Sequence, residues 1–291
     1  MSETIGAFIS FLEFEKRLSR HTVTAYRTDL GQFENFLAQR EMVPESADRH
    51  MVRSWLIALS EQKLSPVSIN RKIAALRAYY RFLRKKKLAE SDPASLLTAL
   101  KKPRKLPGFV DEASMGLLFD SSLFDDSPSG RRDRLVIEIL YGTGMRLSEL
   151  IGLKAGDVSL SNATIKVLGK RSKERIIPVT PSLIRLISDY VADNELKPLS
   201  APLLTTDKGE PLYPVFVQRL VKRYLSAVTS IEHKSPHLLR HTYATHLLNR
   251  GADLNAIREL LGHTSLAATQ VYTHNAIEEL KKTFLQAHPK A

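Results

Sequence analysis

The chain contains no cysteine, which excludes a disulfide framework, thiolate metal sites, iron–sulfur clusters and any cysteine nucleophile. No uninterrupted apolar run approaches the roughly 18–20 residues that a membrane-spanning helix needs. The first twenty residues place acids ahead of a short apolar stretch and lack a basic n-region or small-residue cleavage site. No secretory signal is expected, and the cytoplasm is the expected compartment. There is no internal repeat and no low-complexity tract, which excludes a solenoid. Acids are the scarcer charge: 31 Asp+Glu stand against 43 Lys+Arg, a net charge of +12 over 291 residues. Such a surplus points first to a polyanionic partner. With 43% hydrophobic residues the chain can bury a sizeable core, and its length favours two domains.

From Ile5 to Leu37 apolar residues recur at helical spacing, broken at Leu18–Thr22, with Ser19 placed to cap a second helix. A third helix is predicted from Met51 to Gln62. A fourth opens at Ser65-Pro66 and runs to Lys85, the serine capping and the proline in the first turn. No strand pattern occurs in this region. Between residues 81 and 105 nine Lys/Arg face two acids, and prolines stand at 103 and 107. That composition reads as a basic interdomain linker.

Beyond Pro107 a helix is predicted over Arg134–Tyr141, and the apolar pattern resumes from Leu147 to Leu153. Thr164–Leu168 and Arg175–Val179 alternate as strands and flank the polar Gly169–Lys173, the signature of a hairpin. Helices resume from about Ser182, again over Pro214–Val228, and from Pro236 to Leu285 with breaks at Gly251 and Gly262.

Four segments could carry chemistry. Ser235-Pro236 opens a helix with His237 in its first turn, so His237 and Arg240 share a face near free amide donors, an arrangement suited to a phosphate. A wet helix face with polar residues is the plainer reading. His237, His241 and His246 approach a metal-ligand spacing, yet Leu238 stands where a zinc protease needs glutamate, and no acid lies between Lys234 and Asp253. Around His263 a glycine ends one helix and a second short one carries Tyr272; a cap and an amphipathic tyrosine would look the same. Gly142-Thr143-Gly144 lacks the third glycine and preceding strand of a dinucleotide loop. It turns instead into a helix whose first turn holds Arg146, with Glu149 three residues on to orient it. Lys170, flanked by Arg171, Lys173 and Arg175, tips the hairpin as either a solvated turn or a phosphate clamp.

Taken in order along the chain, Arg146, Lys170, His237-x-x-Arg240, Leu-Gly-His263 and Tyr272 resemble the tyrosine site-specific recombinases. The runs from Leu18 to Leu30 and from Ser65 to Leu83 resemble that family's helical core-binding domain. The compact length and the ending Ala287–Ala291 resemble the Xer branch, which resolves chromosome dimers in cell division.

The resemblance implies a mainly α fold with a small β-sheet. A helical SAM-like core-binding domain (1–87), a basic linker (88–108) and a catalytic domain (109–291) with a C-terminal subunit-docking helix would form a C-shaped clamp on DNA. It implies that Tyr272 attacks a phosphodiester to form a 3′-phosphotyrosyl link. Arg146 and Arg240 would hold the phosphate, Lys170 would protonate the leaving oxygen, His237 would act as base, and His263 would bond the phosphate, with Glu149 in support. Further DNA contacts would come from Arg71, Arg77, Lys85, Lys101, Lys102, Arg104, Arg171 and Lys173. No metal or other cofactor is expected. The implied partners are double-stranded DNA, a homo- or hetero-tetramer on two duplexes, a second Xer recombinase and a cell-division DNA translocase. The alternatives are a mobile-element integrase, a type IB topoisomerase and a catalytically silent DNA-binding regulator.

Overall fold

The computed structural model describes residues 1–101, 108–120, 122–169, 174–193, 198–262 and 284–290. The chain divides into two compact units, Met1–Lys105 and Leu106–Ala291.

In the first unit, helix α1 (Glu3–Ser10) runs on into a π-helical turn, Phe11–Glu15. It is followed by α2 (Arg20–Ala38), α3 (Arg49–Glu61) and α4 (Pro66–Lys85). Each start is chemically marked. Ser19 accepts from the Thr22 amide, Asp48 from that of Met51, and Ser65 from that of Ser68 with Pro66 in the first turn, relieving otherwise unpaired donors. The helices bury one apolar face each, around Phe8, Leu30, Phe33, Trp55, Leu76, Tyr79 and Leu83.

Residues read as the start of a linker are fastened to this unit as far as Leu100. Ala94 and Leu97 are buried in its core, and the Asn70 amide exchanges two hydrogen bonds with the Leu100 backbone, at 2.9 and 2.7 Å. Small apolar residues inside the basic stretch give it something to bury.

The second unit is built around α6 (Pro128–Thr143), whose residues from Leu135 onward are all buried. This helix starts at Pro128, capped by Ser127, six residues before the expected start, and α5 (Glu112–Asp120) precedes it. After α7 (Leu147–Ile151) comes an antiparallel sheet in the order β1 (Val158–Ser159), β2 (Thr164–Leu168), β3 (Glu174–Pro178). The β2–β3 register pairs Ile165 with Ile177 and Val167 with Arg175. Strand β1 has only two residues, too few for an alternation to appear in sequence.

Helices α8 (Pro181–Asp193), α9 (Pro214–Val228), α10 (Pro236–Asn249) and α11 (Leu254–Leu261) complete the described core. The expected C-terminal subunit-docking helix lies partly outside the described residues, which resume at Phe284. Phe284, Ala287 and His288 are buried within their own unit. Lys290 lies 3.6 Å from the Phe119 ring centroid and pairs with Glu138.

Candidate active site

Helix α10 begins where Ser235 accepts from the Leu238 amide and Pro236 occupies the first turn. His237 is exposed there, and Arg240 follows one turn later at 6% exposure. Arg240 donates through Nη1 to the Gly144 carbonyl and through Nη2 to the Leu261 carbonyl, both at 2.6 Å. Gly144 caps α6 in the left-handed region, φ +59°, and a Cβ there would lie 2.4 Å from Tyr243 Cδ1. Glycine is the residue that permits this close turn.

That turn delivers Arg146 to the N-cap of α7. The Arg146 amide donates to Glu149 Oε2 at 2.7 Å, and its Nη1 donates to Glu149 Oε1 at 2.9 Å. Its Nη2 donates to the Gly262 carbonyl at 3.3 Å, leaving the side chain 37% exposed. Glu149 itself is buried, at 7% exposure. From β3, Arg175 approaches it as a fork, Nη1 to Oε1 and Nη2 to Oε2, both at 2.8 Å, while Nε donates to the Leu260 carbonyl at 2.9 Å.

Three guanidinium groups therefore hold three consecutive carbonyls at the C-terminus of α11: Arg175 on Leu260, Arg240 on Leu261 and Arg146 on Gly262. A helix C-terminus carries unpaired carbonyls and a partial negative charge, which cations satisfy. Gly262 also lies in the left-handed region, φ +63°, with the Arg175 side chain about 3 Å from where a Cβ would be.

The electrostatics follow from one carboxylate among three cations. Burial alone would raise the Glu149 carboxyl, but the hydrogen bonds from Arg175 and from the Arg146 amide, with the charge of Arg175, hold it at about 2. Burial, together with the neighbouring Arg146 and Arg175 charges and against the pull of Glu149, brings the Arg240 guanidinium down to about 10. Such a cluster keeps a surplus of positive charge next to a half-exposed guanidinium, suited to an oxyanion with two or more free oxygens.

Of the expected site residues, the structure brings Arg146, Glu149 and Arg240 together, and puts His237 at the exposed first turn of α10. Lys170, His263 and Tyr272 lie outside the described residues, as do the expected DNA contacts Lys102, Arg104, Arg171 and Lys173. Lys85 and Lys101 are exposed. Arg71 is 44% exposed and pairs with buried Asp29 at 2.6 Å. The Arg77 guanidinium is directed at the carbonyls of Ala94 and Leu97. His246 is a core residue, its Nδ1 2.9 Å from the Tyr141 hydroxyl. Among the described residues no group of three or more metal-ligating side chains is placed to hold an ion.

Arg175 is the functional neighbour that sequence reasoning passed over as one more flanking cation. Its signal was parity: it sits on the inward phase of β3, between exposed Glu174 and half-buried Ile176, where an arginine needs a buried partner.

Residues 114–279 match the Phage integrase family, and residues 5–87 match the Phage integrase, N-terminal SAM-like domain. Tyrosine recombinase XerC of Chlorobaculum tepidum is 39% identical, over 99% of this chain and 94% of that protein. Tyrosine recombinase XerC of Staphylococcus saprophyticus is 38% identical over 100% and 99%. In fold, the chain is similar to XerH site-specific recombinase bound to difH substrate, with a TM-score of 0.72 and 23% identity over 95% of this chain and 93% of that one. It is likewise similar to the Tn1549 transposon integrase in complex with circular intermediate DNA, at TM-score 0.71 and 21% identity over 96% and 99%.

Proposed function

The chain belongs to the phage integrase family and is a site-specific tyrosine recombinase, a DNA-binding enzyme that breaks and rejoins strands, and from that premise we propose how its residues divide the chemistry. Tyr272 Oη attacks the scissile phosphorus, forming the tyrosyl ester to the 3′ phosphate as the bond to the 5′ oxygen breaks. A phenol with an ordinary pKa near ~10 is a weak nucleophile at neutral pH, so its proton must be taken and its target made electrophilic. His237 accepts that proton, and Lys170 donates one to the departing 5′ oxygen. Arg146 and Arg240 bond the non-bridging oxygens as negative charge grows on them, and His263 adds a further hydrogen bond. Glu149 orients Arg146. Because the ester linkage keeps the energy of the broken bond, the 5′ hydroxyl of an incoming strand can reverse the step without ATP.

The observation that carries this reading is the convergence of Arg146 and Arg240. They are far apart in sequence, yet they donate to the adjacent carbonyls of Gly262 and Leu261, immediately before His263. The +12 charge supports the duplex as substrate, with Lys85, Lys101, Lys102, Arg104, Arg171 and Lys173 as further phosphate contacts. Full-length similarity to proteins named XerC supports resolution of chromosome dimers as the biological task. The same reading takes four subunits on two duplexes as the active assembly, with a second recombinase and a DNA translocase as partners.

The test is a nicked duplex, recovered by selecting a random-sequence pool on the full chain. The wild type should form a covalent adduct on a denaturing gel and Tyr272→Phe none. An equal adduct from both would overturn the assignment.

A further inference from the structure

Arg175 has no part in the chemistry assigned above, yet it is 5% exposed and each of its three guanidinium nitrogens donates a hydrogen bond inside the site. A guanidinium taken out of water is costly unless its charge and donors are matched, so its surroundings have to supply a function or a partner that repays the burial. Two consequences follow from its contacts.

The first concerns charge. Arg175 engages both oxygens of Glu149, whereas the Arg146 side chain reaches only Oε1. Remove Arg175 and, among the described side chains, Arg146 alone is left hydrogen-bonded to the carboxylate, which then holds that guanidinium against any incoming phosphate. The second concerns distance. The same side chain donates to the Leu260 carbonyl, the residue before the two carbonyls that receive Arg240 and Arg146. It therefore ties the start of α7 to the end of α11, the two elements between which Arg146 is stretched. Packing against Gly262 is close enough that a Cβ would meet Nη1 at 3.0 Å and Cδ at 3.1 Å, so the spacing is tightly set.

We infer that Arg175 is a positioning residue for strand cleavage: it holds Glu149 and the C-terminal carbonyls of α11 at one spacing, so that Arg146 is oriented without being neutralised. This rests on the assignment of Arg146 to the scissile phosphate.

The experiment uses the full chain and the selected nicked duplex, with single-turnover adduct formation measured at saturating DNA alongside DNA affinity and thermal unfolding. Arg175→Met keeps the stem and removes the charge. Arg175→Lys keeps the charge and removes the fork, and it carries the test should the methionine variant not fold. Both should bind DNA within about 3-fold of wild type while the cleavage rate falls by about 100-fold, the scale of a small misplacement in an organised site. A merely structural role would not produce the second signature: because Arg175 acts through Glu149, Arg175→Lys combined with Glu149→Gln should be no slower than the slower single variant. The inference is overturned if Arg175→Lys cleaves at the wild-type rate, if the two losses multiply, or if the defect disappears at saturating DNA. Arg146→Ala separates the premise from the inference. If that variant still cleaves normally, the assignment of Arg146 fails; if it is inactive and Arg175→Lys is not impaired, only the inference fails.

Discussion

Replacing Glu149 by glutamine removes the carboxylate on which Arg146 and Arg175 converge and leaves the side-chain volume almost unchanged. The carboxyl is carried from an ordinary value of 4.5 to about 2, which corresponds to about 3 kcal/mol of folding stability at neutral pH. The direction is fixed by which state takes the proton first. Above 4.5 the group is ionised in both folded and unfolded chains, and the stabilisation is complete. As pH falls from 4.5 toward 2 the unfolded chain protonates first, and the stabilisation is lost. Glu149→Gln is neutral throughout, so it should be less stable than wild type by about 3 kcal/mol at pH 7, with the gap closing below pH 4.5. For a unit of this size that is a fall in Tm of about 6–12 °C. Far-UV circular dichroism during thermal unfolding of the full chain reads the change. The single tryptophan, Trp55, lies in the first unit, so its fluorescence is the control and should not move. A gap under about 1 kcal/mol at pH 7, or one that persists unchanged at pH 3, would refute the reasoning.

Gly144→Ala should destabilise the second unit by about 2–5 kcal/mol, combining a left-handed backbone for alanine with a Cβ driven into Tyr243; denaturant unfolding checks it, and a loss below about 1 kcal/mol contradicts it. His288 is buried, accepts through Nδ1 from the Lys290 amide and is pushed down by burial to about 4. The unfolded chain therefore takes its proton first, and amide protection factors over 284–290, taken against intrinsic exchange at each pH, should fall as pH drops from 6.5 toward 4; protection that stays flat, as in a His288→Leu control, counts against the account. DNA affinity should fall steeply with salt because phosphate contacts release counterions, and a flat plot of log K against log salt would remove the basic interface.

What the sequence discloses and what it withholds divide along the distance over which a signal acts. Ser19, Ser65 and Ser235 mark helix starts because a cap and its amide partner are three residues apart. The hairpin strands show through their alternation, and β3 begins one residue earlier than expected, at Glu174, because its partner Leu168 fixes the end of the ladder. The convergence of Arg146 and Arg240 could be suspected only from the order of residues in a family. Strand parity marks Arg175 as inward-facing, but its partners could not be read, since Glu149 and Leu260 lie 26 and 85 residues away. The 88–100 stretch misled for the same reason: its basic composition is local, while the pairing of Asn70 with Leu100 that anchors it is not.

Mass spectrometry of the trapped protein–DNA adduct tests the central claim most directly. After proteolysis and nuclease trimming, the account predicts a nucleotide mass on the peptide containing Tyr272, joined through a 3′ phosphate, and a released strand whose free 5′ hydroxyl accepts label from polynucleotide kinase. A nucleotide on any other residue, or a 5′ phosphate on the released strand, would contradict it.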